Sequence, residues 1–175
     1  SGSAVDTLTE VASNDDAPGL ESSRSLVVFS ASKDMVYAVA VDGFGGKGGR
    51  VILRWRQGVS NDLFDSAQAL TGQVGSHGGT NVNATIELDE PSPSYLGASV
   101  WYEWTAPANG LVKFSTRGSR FDTALAVYTG TNIASLAQVA SNDDDPQLGC
   151  CSSFVGFEAV AGTSYRIAVG GFSWG

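Results

Sequence analysis

Val11-Ala12-Ser13-Asn14-Asp15-Asp16 returns letter for letter as Val139-Ala140-Ser141-Asn142-Asp143-Asp144, and each copy is followed two residues on by a proline, Pro18 or Pro146. Sliding the chain by 128 positions lays residues 2–47 over 130–175 without a gap, and 19 of the 46 pairs are identical. Beyond the acidic loop the matches fall on alternating apolar positions. Val27, Phe29, Ala31, Tyr37, Ala40-Val41 and Gly43-Phe44 meet Val155, Phe157, Ala159, Tyr165, Ala168-Val169 and Gly171-Phe172. A fixed turn between two-faced apolar segments is the mark of a tandem structural repeat.

The first copy enters midway through the unit, and the second reaches Gly175 before any counterpart of Arg50 to Arg56. Residues 1–56 are therefore expected to be the C-terminal half of a first β-sandwich repeat, 57–60 a short linker, and 61–175 a second repeat without its last strand. Period-2 runs bounded by turn residues predict strands at Leu8–Ser13, Ser25–Ala31, Met35–Asp42 and Arg50–Arg56 in the first half-unit. In the second they fall at Ser99–Thr105, Leu111–Thr116, Thr123–Tyr128, Leu136–Ser141, Phe154–Val160 and Tyr165–Val169. Leu63–Leu70 alone has an amphipathic helical pattern. The expectation is an all-β fold, an antiparallel jelly-roll-like β-sandwich.

Composition agrees with that class. Charged residues are 16% and hydrophobic ones 42%, with 22 glycines, which suits neither a disordered tail nor a helical bundle. A net charge of -8 repels phosphate backbones and anionic membranes, so nucleic acid is excluded as an expected partner. The longest apolar runs, Leu26–Phe29 and Met35–Val41, fall far short of a bilayer span, and no membrane insertion is expected. Cys150 and Cys151 are adjacent and fit no zinc spacing, and the single histidine, His77, lies in a glycine-rich stretch.

A resemblance becomes readable in an ordered series of motifs. These are Asn61-Asp62-Leu63-Phe64, Ala69-Leu70-Thr71-Gly72, Ser99-Val100-Trp101-Tyr102-Glu103-Trp104-Thr105-Ala106-Pro107, Phe121-Asp122-Thr123-Ala124-Leu125-Ala126-Val127-Tyr128-Thr129-Gly130, Ser141-Asn142-Asp143-Asp144 and Tyr165-Arg166-Ile167-Ala168-Val169. Together they resemble the bacterial pre-peptidase C-terminal (PPC-like) domain over essentially the whole chain. The resemblance implies a secreted jelly-roll-like sandwich, often calcium-binding, found in tandem in surface proteins or appended to secreted peptidases. It implies no catalysis, and no catalytic domain accompanies it here.

The candidate sites follow. Asn14, Asp15 and Asp16, and Asn142, Asp143, Asp144 and Asp145, concentrate carboxylates that repel one another unless solvent or a cation screens them. Ca²⁺ takes six to eight oxygens from such bendable loops. The competing reading is that Asn and Asp cap turns through their own backbone. Asp122 joins the calcium set as a carry-over from the resemblance. Glu87, Asp89 and Glu90 read as a solvated acidic loop. Trp101, Trp104 and Trp55 read as core, while Trp174, in a glycine loop, is the candidate glycan contact. Asn83-Ala84-Thr85 satisfies the N-glycosylation pattern. No Gly-x-Ser-x-Gly elbow or histidine-centred constellation argues for an enzyme.

The function expected from these readings is a structural repeat module of an extracellular or cell-surface fibre or stalk, stabilised by Ca²⁺. Its partners would be further repeats or other copies of itself, head to tail, through continuous chain or exchanged strands. The four-residue linker Gln57-Gly58-Val59-Ser60 suits a stiff array. The alternative is a carbohydrate- or collagen-binding accessory module of a secreted hydrolase, with extracellular glycans as ligands.

Overall fold

The structure is a computed structural model that describes residues 7–16, 24–91, 96–147, 149 and 151–172. The chain divides into two compact units, Ser1–Trp55 and Arg56–Gly175.

The second unit is β-rich. Among the described residues its seven strands are β1 (Gln68–Leu70), β2 (Leu96–Thr105), β3 (Gly110–Ser115), β4 (Thr123–Thr129), β5 (Ala137–Asn142), β6 (Phe154–Ala159) and β7 (Ser164–Phe172). Five form a mixed sheet in the order β1-β2-β7-β4-β5, with β1 parallel to β2 and the other pairs antiparallel; β3 and β6 form a second, two-stranded antiparallel sheet. The Leu63–Leu70 segment is not a helix. It makes a single 3-10 turn at Phe64–Ser66 and then enters β1, because the alignment of Gln68, Ala69 and Leu70 with Tyr102, Glu103 and Trp104 offers a ladder that a short amphipathic pattern cannot match.

Turn chemistry sets the hairpins. β2 ends at Ala106-Pro107, since proline has no N–H to give to a ladder. The chain reverses through Ala161-Gly162-Thr163 with Gly162 at φ 78°, a region that glycine occupies without steric cost. The Asn109 side chain accepts from Ala161 N at 2.7 Å, joining this turn to the one that opens β3.

Both faces of the larger sheet are apolar. On one, Trp104, Leu125, Val127, Tyr165 and Ile167 meet Val155, Phe157 and Ala159 of β6 in a shared core. On the other, Ala124, Ala126 and Ala168 leave room for the fully buried indole of Trp101, which meets Phe64 edge-on at 5.2 Å and lies 6.0 Å from Tyr128. The strand face carrying Trp101 is thus as much core as the face carrying Trp104. The Trp101 N–H is buried without an acceptor among the described residues.

The first unit differs from expectation. None of Leu8–Ser13, Ser25–Ala31, Met35–Asp42 or Arg50–Arg56 is a strand among the described residues, and a 3-10 turn forms at Phe44–Gly46. Strand ladders need neighbours to accept and donate, and here the apolar positions have none. Val27 is 42% exposed where its counterpart Val155 is 4%, and Val39 is 60% exposed where Ile167 is 2%. Trp55, expected in a core, is 87% exposed.

Local contacts nevertheless recur at the 128-residue offset. Leu26 N donates to Asn14 Oδ1 at 3.0 Å, as Phe154 N does to Asn142 Oδ1 at 3.1 Å. Ser32 N donates to the Tyr37 hydroxyl at 2.9 Å, as Val160 N does to that of Tyr165 at 3.0 Å. Phe29 and Tyr37 lie 5.0 Å apart at 50°, and Phe157 and Tyr165 lie 4.9 Å apart at 49°.

These contrasts predict unequal costs for similar truncations. Leu125→Ala should remove about 2–5 kcal/mol from urea-induced unfolding of the second unit. Val39→Ala, at an exposed position, should change stability by less than about 0.5 kcal/mol. Equal losses would contradict the burial described.

Candidate functional site

The acidic loop leaves β5 at Asn142 and is built by hydrogen bonds to its own neighbourhood. Asn142 Oδ1 accepts from Phe154 N, tying the loop to the start of β6. Asp143 contributes its carbonyl to Ser153 Oγ at 3.4 Å. Asp145 is almost fully buried: Oδ1 accepts from Gln147 N at 2.9 Å and Oδ2 from Arg117 Nε at 2.6 Å. That bond to Asp145 holds the Arg117 guanidinium above its ordinary pKa. Asp144 is exposed, Asp143 half-buried, and Asp122, exposed at the entry to β4, accepts from Phe172 N through its carbonyl at 2.9 Å. In the first unit, Asn14 Nδ2 donates to the Asp16 carbonyl at 3.1 Å, and Ser25 Oγ to the Asp15 carbonyl at 2.8 Å, with both carboxylates exposed.

The two asparagines thus act first as turn caps, and Asp145 as the buried half of an ion pair. Among the described residues no three His, Cys, Asp or Glu side chains gather around a common point.

A second acidic group is structural rather than a solvated loop. Glu87 accepts from Phe64 N at 2.8 Å; Glu90 accepts from Glu87 N at 2.9 Å and from the fully buried Ser99 hydroxyl. Asp62, also buried, accepts from Thr85 N at 2.6 Å and Thr85 Oγ1 at 3.1 Å. The spacing of these acids gave no hint of it, because apart from the Glu87 N–Glu90 bond their donors come from residues 9 to 23 positions away. Asp89 alone of the group is exposed, with φ 63° in a turn.

Asn83 is exposed at φ 67°, accessible to modification, while its sequon partner Thr85 is half-buried and held by Asp62. Trp174 and Cys150 lie outside the described residues. Cys151 is exposed. His77 meets the edge of Tyr102 at 5.6 Å.

A wide concavity was not foreseen from sequence. It is an open cleft of about 1100 Å³ floored by Tyr102, Trp104, Leu125 and Ile167. One bank is β3 with Val112 and Phe114; the other is the segment 70–82, anchored where Trp104 Nε1 donates to the Gly72 carbonyl at 2.9 Å. Among the described residues β3 pairs with β6 alone, so its other edge is open along this cleft. An apolar floor beside a free strand edge suits an extended polypeptide.

No protein-family model matches the chain, and no match is found among curated proteins or solved structures.

Burial raises the Glu87 and Glu90 carboxyls above their usual value; for Glu90 the Ser99 and Glu87 hydrogen bonds oppose it only in part. A raised folded pKa means that the native state binds these protons more tightly. Their contribution to stability is full below the unfolded value and lost as pH rises through the folded one. Chemical unfolding of the second unit should therefore show this contribution growing as pH is lowered from 7 toward 4.5. Glu90→Gln should flatten that slope, and an unaltered slope would contradict the assignment.

Proposed function

We propose that the chain is a structural repeat module of an extracellular fibre, stalk or surface protein, a jelly-roll-like sandwich of the PPC-like type joined end to end with its own kind. The observation that carries this reading is the recurrence, at one offset, of three side-chain contacts that sequence identity alone does not dictate. The asparagine cap, the tyrosine hydroxyl bond and the Phe–Tyr ring pair have the same geometry in a segment with strand neighbours and in one without them. These recurring contacts support reading the first unit as a copy of the β5–β7 half of the second. A repeat in which each half needs the other supports an array rather than a free-standing catalyst.

Calcium belongs to this reading as a stabiliser of the loop carboxylates of half-buried Asp143 and exposed Asp144, with Asp122 nearby in the motif order, and of Asp15 and Asp16 in the first copy. A cation held only by the folded state stabilises it by about 2.7 kcal/mol at a hundredfold excess over its dissociation constant.

Small-angle scattering on a chain of three tandem repeats tests the assembly. A narrow, rod-like distance distribution is expected, and a broad one from hinged beads would contradict the reading. Melting of the same chain in millimolar Ca²⁺ should lie above melting in EGTA, with the difference lost in Asp143→Asn plus Asp144→Asn. Coincident curves would remove calcium from the account.

A further inference from the structure

We infer that the cleft along β3 is a docking site for an extended acidic segment of a partner protein, which adds a strand to the open edge of β3 and alternates apolar with acidic residues. The inference concerns the second unit alone and does not rest on the repeat reading.

Charge marks the cleft first. Residues 57–175 carry 11 acids against four bases. Three of the four bases, Lys113, Arg117 and Arg120, line the cleft, and among the described residues no aspartate or glutamate does. The fourth, Arg166, is not on its walls and binds Glu103 at 3.3 Å. Arg117 is already engaged, through Nε with Asp145 and through an Nη with Gln147 at 3.1 Å. Lys113 and Arg120 are exposed and form no ion pair among the described residues. The residue opposite Lys113 on β6 is Gly156, and Glu158 stands opposite Leu111. Cations are thus gathered along one trough of an acidic unit, where an occupant bearing carboxylates gains from them. The negative charge of the rest opposes such a partner at long range, but screening confines it to about 8 Å at physiological salt, so the cations on the walls decide the encounter.

Backbone geometry selects a polypeptide among anions. Residues 111–115 line the cleft in unbroken succession although alternate side chains point to opposite faces of the strand, so the strand edge itself borders the space. Among the described residues β3 pairs with β6 alone, and the N–H and C=O groups of that edge have no ladder. An extended polypeptide offers donors and acceptors at the matching spacing, and a sugar polymer does not. On the opposite bank, an added Cβ at Gly75 or Gly78 would meet nothing within 4 Å, so a second backbone has room to approach.

The two faces of β3 then set the sequence of the guest. On the face of half-buried Val112 and Phe114, a guest side chain would lie over the aromatic floor of Tyr102 and Trp104, which selects apolar residues. On the face of Lys113, a carboxylate on the added strand forms an opposite-charge cross-strand pair. Arg120, on the segment that follows β3, lines the same cleft and offers a second carboxylate its guanidinium.

The test titrates the chain with a capped peptide of alternating valine and glutamate, as long as β3. The amide resonances of residues 111–115 and the Trp104 indole N–H should shift saturably. Exchange of those amides should slow about tenfold when free peptide stands about tenfold above its Kd. Lys113→Glu plus Arg120→Glu, both at exposed positions, should weaken binding about tenfold, and salt at about 1 M should weaken binding to the unmodified chain in the same direction. Equal affinity for a peptide with lysine in place of glutamate, or affinity indifferent to salt, would overturn the charge argument. Equal affinity for two N-methylated peptides, one blocked at its valines and one at its glutamates, would overturn strand addition. Binding of a heparin oligosaccharide without binding of the peptide would reassign the cleft to an anionic glycan and overturn the inference, as would the binding of neither.

Discussion

The structure depends on one constraint: β7 is apolar on both faces and lies at the centre of its sheet, so it needs strands on either side and a layer above and below. β2 and β4 supply the ladders. Tyr165 and Ile167 are covered by β6, and Ala168 by Trp101 and the residues around it. Close approach is part of the arrangement, because a Cβ at Gly170 would meet Leu96 Cδ1 at 2.8 Å. The same pattern in the first unit, at Tyr37, Val39 and Val41, has no such neighbours among the described residues, and the segment is neither strand nor core there.

Local and tertiary contributions separate cleanly in this pair of segments. The asparagine cap and the Phe–Tyr contact span short stretches of chain and survive without a sheet. Strand ladders and burial do not, because their partners are 36 or more residues away: β7 pairs with β2 and β4, and β6 with β3. Val27 and Val39 contribute little burial in this unit, being 42% and 60% exposed. The 128-residue alignment sets Asp42 opposite Gly170, the position where an added Cβ would meet Leu96 Cδ1 at 2.8 Å.

Much of the second unit was legible in its sequence. Alternation gave β2 to β7 to within a few residues, and the size of Trp101 and Trp104 marked them as core. Failures arose where a partner decides the outcome. Leu63–Leu70 has helical periodicity but takes a ladder from β2, and Trp55 reads as inward only if a sheet exists for it to face. The site was less legible. Asn142 and Asp145 were visible as an acidic loop, but the sequence does not reveal that Arg117 takes one carboxylate, nor that Phe154 N takes the amide oxygen. The buried Glu87, Glu90 and Asp62 group depends on donors brought in by tertiary folding. The cleft has no sequence mark of its own, since it is a space between elements.

The central claim is that residues 7–55 are the second half of a unit whose first half has the character of residues 57–128. The most direct measurement is amide hydrogen exchange of residues 25–41 in a chain preceded by a copy of residues 57–128 joined ahead of Ser1, with Asp42→Gly to admit the leucine. The account predicts protection approaching that of residues 153–169 in the same molecule. Exchange in 25–41 as fast as in the chain without the added copy would contradict it.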